Sequence, residues 1–303
     1  MEQHGDRRGL MAAAGAYGLW GFFPLYFHLL NRSGALEIVA HRIFWSLVFC
    51  AIAIVLTGRW GEARVVLGQR RLTFSLLGAG VLVSLNWLLY IYAVIANQVV
   101  DAALGYFINP LVTVLIAMFF LGERVSLGQG IALLIGLAAV LTISLGLATV
   151  PWIGLGLALT FGFYSLAKNR IGAQASPFVG LGIEALALAP ISAIYIVSLE
   201  LTGQGTFTSI GWGYALLLAV AGLVTAAPLL LFAIGAARLP LITLAFIQYL
   251  TPVLQFLVGV VIFREAMPPV RWIGFGLVWL ALVVLSVDSV RRLRHRSPQT
   301  TST

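Results

Sequence analysis

Apolar residues along this chain fall into blocks of about twenty, separated by short polar gaps. Ten such runs are present, at roughly 9–30, 36–57, 72–96, 100–120, 127–147, 151–169, 177–200, 210–236, 240–263 and 269–290. About twenty helical residues cover the roughly 30 Å of a bilayer's hydrocarbon core, so each run predicts a membrane-spanning helix. The gaps carry Gly, Pro, Asn or charge, as short helix-to-helix turns do. Residues 293–303 read as a basic tail whose last part, Ser297–Thr303, is expected to be disordered.

The pattern also repeats. Tyr106-Phe107-Ile108-Asn109-Pro110 is followed thirteen positions later by Glu123, and Gln248-Tyr249-Leu250-Thr251-Pro252 thirteen positions later by Glu265. Both the Pro pair and the Glu pair are 142 apart, and Leu88-Leu89-Tyr90 meets Leu230-Leu231-Phe232 at the same offset. Two copies of a unit with a proline inside a long apolar run suggest a membrane transporter. The predicted fold is an all-α integral membrane protein. Ten transmembrane helices form two inverted five-helix repeats, residues 1–148 and 149–292, around a central cavity.

Composition removes the soluble alternatives. The chain is 61% hydrophobic and 9% charged, with a mean hydropathy of +1.02, whereas soluble domains run to about a quarter charged residues. The lone cysteine, Cys50, lies inside an apolar run, so no intrachain disulfide forms. No Cys/His cluster suggests a metal, and no cofactor is expected.

The net charge of +8 raises the question of nucleic acid, which the placement of the charges answers in the negative. Basic residues occupy the gaps and aromatic residues the apolar runs. The Arg291, Arg292, Arg294 and Arg296 cluster suits anionic lipid head groups instead. Arg7-Arg8 lacks the polar and cleavage-site context of a signal, so the first run is expected to be a retained helix.

With the N-terminus inside, fourteen Lys and Arg residues fall on the inner side and three, Arg32, Arg264 and Arg271, on the outer. Both termini are therefore expected in the cytoplasm and the spans in the cytoplasmic membrane. Five helices is an odd number, so the second unit inserts upside down. Glu123 then falls in an inner loop and Glu265 in an outer one, and inversion is a sufficient basis for alternating access.

Polar residues inside the runs mark the candidate chemistry. Pro110 and Pro252 fall near the centres of the fourth and ninth runs and free the carbonyls of Tyr106 and Gln248. In lipid such carbonyls need a partner or a wet cavity. Two readings stand for these kinks: a cavity wall, with Asn109, Thr251 and Tyr249 beside them, or a bend that only aids helix contact.

His41 and Arg42 lie one and a half turns into the second run, with Glu37 one turn earlier as a partner for either. Arg42 either snorkels to the outer interface or attracts an anion at the cavity's outer end. Glu184, two turns into the seventh run, either titrates protons or pairs with Lys168 or Arg170. Asp101 suits the N-terminus of the fourth helix. Asn86, Trp87, Tyr90 and Tyr92 form a polar-aromatic stretch in the third run, in which Asn86 and Tyr90 share a helix face. Trp20-Gly21-Phe22-Phe23-Pro24 sets another deep aromatic beside a breaker. No nucleophile elbow, H-E-x-x-H or P-loop appears, which argues against an enzyme or an ATP-driven pump.

Several strings together are similar to a known family: His41-Arg42-Ile43-Phe44-Trp45-Ser46, Asn86-Trp87-Leu88-Leu89, Leu104 to Leu111, Leu121-Gly122-Glu123-Arg124, Pro228-Leu229-Leu230 and Gln248-Tyr249 before Pro252. Over nearly its whole length the chain resembles the drug/metabolite transporter superfamily, in particular its EamA-type domains and the RarD group. Arg264 before Glu265 departs from the small residue expected there. The resemblance implies a ten-helix bundle around a cavity and movement of a small organic solute by secondary transport. Solute is expected between the repeats, at His41, Arg42, Trp45, Asn86, Trp87, Tyr90, Tyr106, Asn109, Gln248 and Tyr249, with Pro110 and Pro252 as hinges and Glu184 as a candidate proton site. Facilitated diffusion and proton antiport remain alternatives within this reading; a membrane-embedded enzyme or a non-transporting scaffold is the rival outside it.

Overall fold

The computed structural model describes residues 7–296 apart from 123, 172–173, 237, 240–242 and 245–246. The described elements are all helical. The first apolar run breaks at Phe22 into α1 (Arg7–Gly21) and α2 (Phe23–His28). Pro24 stands in the first turn of α2, where its missing N–H has no helical partner to lose. There follow α3 (Ala35–Leu56), a short α4 (Trp60–Gly68), α5 (Arg70–Ile95), α6 (Val99–Leu121) and α7 (Leu127–Leu147). The later half supplies α8 (Trp152–Ile171), α9 (Pro177–Leu186), α10 (Ala189–Leu201) and α11 (Trp212–Ala236). Last come α12 (Leu250–Leu257), running into a π-helical turn at Val258–Ile262, and α13 (Pro269–Arg296).

Local chemistry sets the boundaries. Gly122 ends α6 in the left-handed conformation at φ +67°, and Ser126 and Gln129 close a reciprocal capping box that starts α7. Seven helical stretches among the described residues are long and apolar enough to cross a membrane, eight when the bent α9–α10 pair is one span. Leu56 and Leu145 are 80% and 81% exposed on the outside. A surface of this kind needs lipid as its solvent, and the chain is a multi-pass membrane protein.

The 142-residue spacing reappears in the elements. Ala35 and Pro177, Arg70 and Trp212, and Leu127 and Pro269 each open a helix 142 residues apart. Helix contacts are reciprocal in the same sense. α5 packs on α8 as α1 does on α11, α3 on α11 as α5 on α9, and α6 on α8 as α1 on α12. The corresponding pairs α3–α9 and α7–α13 pack on each other.

Two glycines at this spacing bring helix backbones into close contact. A Cβ on Gly80 of α5 would overlap the Glu184 carbonyl oxygen, and one on Gly222 of α11 would overlap that of Trp45.

The structure differs from the sequence pattern in four places. The run at 177–200 bends by 56° between α9 and α10, because Pro190 in the first turn of α10 cannot continue the upstream hydrogen-bond ladder. Pro252 is not at a helix centre. It stands in the first turn of α12, after a turn at Gln248–Tyr249, so that span is interrupted where the fourth is continuous through Pro110. α4 forms within what reads as a polar gap. Finally, α13 runs on to Arg296, into the expected tail, while residues 297–303 lie outside the described residues, as does Glu123.

Candidate functional site

α3 begins at Ala35, so His41 and Arg42 fall in its second turn, and both are buried, at 2% and 4% exposure. Their side chains part. The His41 ring stacks on Phe207 of the α10–α11 loop at 4.9 Å, and its Nδ1 accepts from Trp45 Nε1 at 3.3 Å. Arg42 turns the other way, its guanidinium 4.0 Å from the Trp87 ring centre, 5.2 Å from Phe27 and 5.7 Å from Phe23. Its Nε donates to Thr225 Oγ1 at 2.9 Å. No carboxylate pairs with it among the described residues. Glu37 does not take the expected role of partner; it accepts the Thr206 N–H at 2.7 Å and the Thr206 hydroxyl at 2.9 Å instead.

A polar chain extends from this cation across α5, α6, α8 and α12. Tyr90 and Tyr106 lie ring to ring at 5.9 Å, and the Tyr106 hydroxyl donates to Asn86 Oδ1 at 3.4 Å. Asn86 Nδ2 donates to the Leu157 carbonyl and Thr160 Oγ1, both at 3.0 Å. Gln255 Nε2 donates to the Trp20 carbonyl at 3.1 Å and the Tyr90 hydroxyl at 3.3 Å. Several buried acceptors and donors here are unpartnered: His41 Nε2, Ser46 Oγ, Asn109 Oδ1 and Gln255 Oε1. An unpartnered buried polar group is costly unless something else meets it.

The fold thus gathers Arg42, Trp87, Tyr90, Tyr106 and Asn86, with His41 and Trp45 at one end beneath Phe207. Asn109 and Pro110 stand apart at the α6–α8 crossing, Asn109 facing Gly162. Gln248 is exposed, and Tyr249 lines an apolar surface groove of about 560 Å³ with Leu282, Ser286 and Arg291 of α13; neither joins the Arg42 cluster. Phe23, Phe27, Thr160, Thr225 and Gln255 belong to the cluster without having been singled out from sequence. Gln255 carried a readable signal, a lone amide deep in an apolar run; the others did not.

Glu184 of α9 stands 142 residues after Arg42 and is 2% exposed. Lys168 Nζ donates to its Oε1 at 2.6 Å and the Tyr164 hydroxyl to its Oε2 at 3.1 Å.

Two carboxylates outside the spans tie the ends together. Glu265 accepts the N–H groups of Val99 at 2.6 Å and Val100 at 2.9 Å, the first turn of α6. Desolvation, aided by Asp101, pushes its carboxyl above the usual 4.5 against those N–H groups and Arg271. Asp101 is in that first turn, as expected, with Arg271 at 3.3 Å. Glu62 of α4 accepts the Ser176 N–H at the start of α9 at 2.6 Å and Arg59 at 3.0 Å. Desolvation opposes its ionisation, but those two donors outweigh it and hold the carboxyl below 4.5.

The described helices form a membrane bundle with a buried cation among aromatic rings, and comparison with known proteins gives a family of membrane transporters. Residues 7–145 match the EamA-like transporter family. The chain is 45% identical to the protein RarD of Streptomyces exfoliatus, over 96% of this chain and 91% of that protein. It is 40% identical to an uncharacterized transporter of Vibrio cholerae, over 96% and 95%. A solved crystal structure shares the fold with a TM-score of 0.60 at 20% identity, over 92% of this chain and 97% of that one. The chain belongs to the drug/metabolite transporter superfamily, in its RarD-like group.

Proposed function

We propose that this chain is a secondary transporter, exporter or bidirectional permease, for a small amphipathic solute with an anionic end. Arg42 carries this reading. Burying a guanidinium without a carboxylate is costly, and such a group inside a span is retained where a ligand or cavity meets it. Arg42 receives the anionic end, with His41 and Asn86 as further polar contacts and Asn109 joining from the α6–α8 crossing as the halves rearrange. Trp45, Trp87, Tyr90 and Tyr106 face the apolar part. Gln248 and Tyr249, at the interrupted ninth span, join when the interface between halves rearranges. Pro110 and Pro252 are the hinges.

Ten spans in two inverted units, residues 1–148 and 149–292, both termini in the cytoplasm and a place in the cytoplasmic membrane complete the reading. The reciprocal helix contacts support it, since two equivalent halves exchange conformations to alternate access. The absence of a nucleophile–base pair from the cluster favours transport over catalysis. Facilitated diffusion and proton antiport are separated by proteoliposome flux with and without a proton gradient; gradient-independent exchange excludes coupling. Arg42→Ala transporting every solute as the wild type does overturns the site.

A further inference from the structure

Arg42 and Glu184 occupy corresponding positions of the two halves, 142 residues apart on α3 and α9, and carry opposite charge. The two helices pack on each other, and α9 meets α3 near Cys50: a Cβ on Gly182 would lie 3.3 Å from that of Cys50. Cys50 is eight residues beyond Arg42, so the point where α9 meets α3 lies about 12 Å along α3 from Arg42. Arg42 has no carboxylate partner among the described residues, whereas Glu184 has a cation of its own. The Glu184 side chain is 2% exposed and that of Lys168 37%. Lys168 therefore stands at the boundary of the buried site, its Nζ against α9 at Gly180, 3.5 Å from where a Cβ there would lie.

We infer that Lys168 is a second anion-binding group, and that it exchanges Glu184 for the solute's anionic end as Glu184 takes up a proton. This rests on the anionic-solute reading of Arg42 and adds a second station to it. The N–H···O bond from Lys168 to Glu184 breaks, and one from Lys168 to the solute's oxyanion forms. A buried carboxylate stripped of its cation is too costly to leave charged, so a proton from water neutralises it. The Tyr164 hydroxyl stays bonded to Oε2 throughout. The charge inside the protein is unchanged, because one negative solute binds with one proton; carried through a cycle this is co-transport, a third mechanism beside facilitated diffusion and antiport.

The groups around Glu184 are consistent with a private exchange. α8 presents Tyr164 and Lys168, α3 presents Cys50, and α5 meets it at Gly80. Tyr214, the ionisable side chain of α11, is committed to the Leu30 carbonyl and Ser33. Glu200 of α10 is held by Phe207 and Thr208. No second acid among these takes the proton in place of Glu184.

The test uses the purified full chain in lipid nanodiscs with benzoate as the probe, a ring bearing one carboxylate. Calorimetry at pH 7 in two buffers of different ionisation enthalpy counts protons. The expected result is net proton uptake on benzoate binding, up to one proton per chain, abolished in Glu184→Gln with benzoate still bound. Lys168→Met weakens benzoate about fivefold or more, and Lys168→Arg restores most of it. Benzoate binding to the wild-type chain without proton uptake, a measurement independent of any variant's folding, overturns the exchange. So does uptake that persists in Glu184→Gln. If benzoate fails to bind the wild-type chain, or binds Arg42→Ala as tightly, the Arg42 reading itself fails, which is a separate result.

Discussion

Arg42 is oriented by one hydrogen bond and three rings, and each makes a distinct demand. Thr225 accepts from the guanidinium Nε and itself donates to the Ala221 carbonyl, so it aims Arg42 across the α3–α11 interface. Thr225→Val keeps the shape and removes the acceptor. Loss of a hydrogen bond to a charged group costs about 1.5–3 kcal/mol, so the apparent KM for an anionic solute rises by about tenfold or more in a proteoliposome flux assay. Arg42→Lys keeps the charge but loses the planar stack on Trp87 and the directed Nε donor. It is expected to transport more slowly than wild type, yet better than Arg42→Ala.

At this scale the sequence revealed Arg42, Asn86 and Tyr106, because they interrupt apolar runs, but not the polar Thr160, Thr225 and Gln255 that join them. It did not reveal Phe23 or Phe27. An aromatic residue in an apolar run looks the same whether it faces lipid or a guanidinium, and only the tertiary fold distinguishes them. Gly80 illustrates the same limit, being one glycine among 32. A Cβ there meets backbone rather than a flexible side chain, so Gly80→Val is expected to part α5 from α9 and destabilise the protein by about 1–3 kcal/mol. A fall in detergent melting temperature checks this against Gly78→Val, where nothing lies within 4 Å.

Between elements, the motif glutamate explains itself only in three dimensions. Glu265 fills the place of an N-cap for α6, whose own N-cap residue, Gln98, makes no side-chain capping bond. Glu265→Ala is expected to cost about 1–2 kcal/mol, read as earlier thermal unfolding in detergent.

Glu62 fastens α4 to the start of α9, the helix that carries Glu184. Its carboxyl is held below 4.5 in the folded state, so the unfolded chain binds the proton more tightly. The stability it contributes is present above pH 4.5 and is lost as pH falls through the depressed folded value. Glu62→Gln removes that pH-dependent component, and its melting temperature approaches that of wild type as the pH is lowered. The difference at pH 7 is about 1 kcal/mol or less, as befits a partly exposed pair. The apolar runs marked where the seven or eight membrane-length helices among the described residues lie, while the Ser126–Gln129 cap was not singled out. The α9–α10 bend was written in Pro190 but masked by an otherwise unbroken apolar run.

For the whole molecule, the question is what the 142-residue spacing means in the membrane. Reciprocal contacts such as α5 on α8 with α1 on α11 are those that two corresponding halves would make, but either orientation of the second half is compatible with a sequence repeat. The basic residues decide for inversion in the reading proposed above, and the two linkers at corresponding places provide the test. α4 carries exposed Arg64, and the α10–α11 loop carries exposed Gln204. Inversion puts Arg64 in the cytoplasm and Gln204 outside; a parallel repeat puts both on one side. In a Cys50→Ala background, which removes the single native thiol, a membrane-impermeant maleimide applied to intact cells is expected to label Gln204→Cys and spare Arg64→Cys. Permeabilised cells should label both. Equal labelling of the two in intact cells rules out inversion, and with it the exchange of conformations between halves on which alternating access here depends. The charge difference between the halves matters in the same frame. If the pair is inverted, Arg42 in one half and Glu184 in the other present opposite charges at corresponding depths from opposite faces, and the motion proposed above would be symmetric while its electrostatics would not.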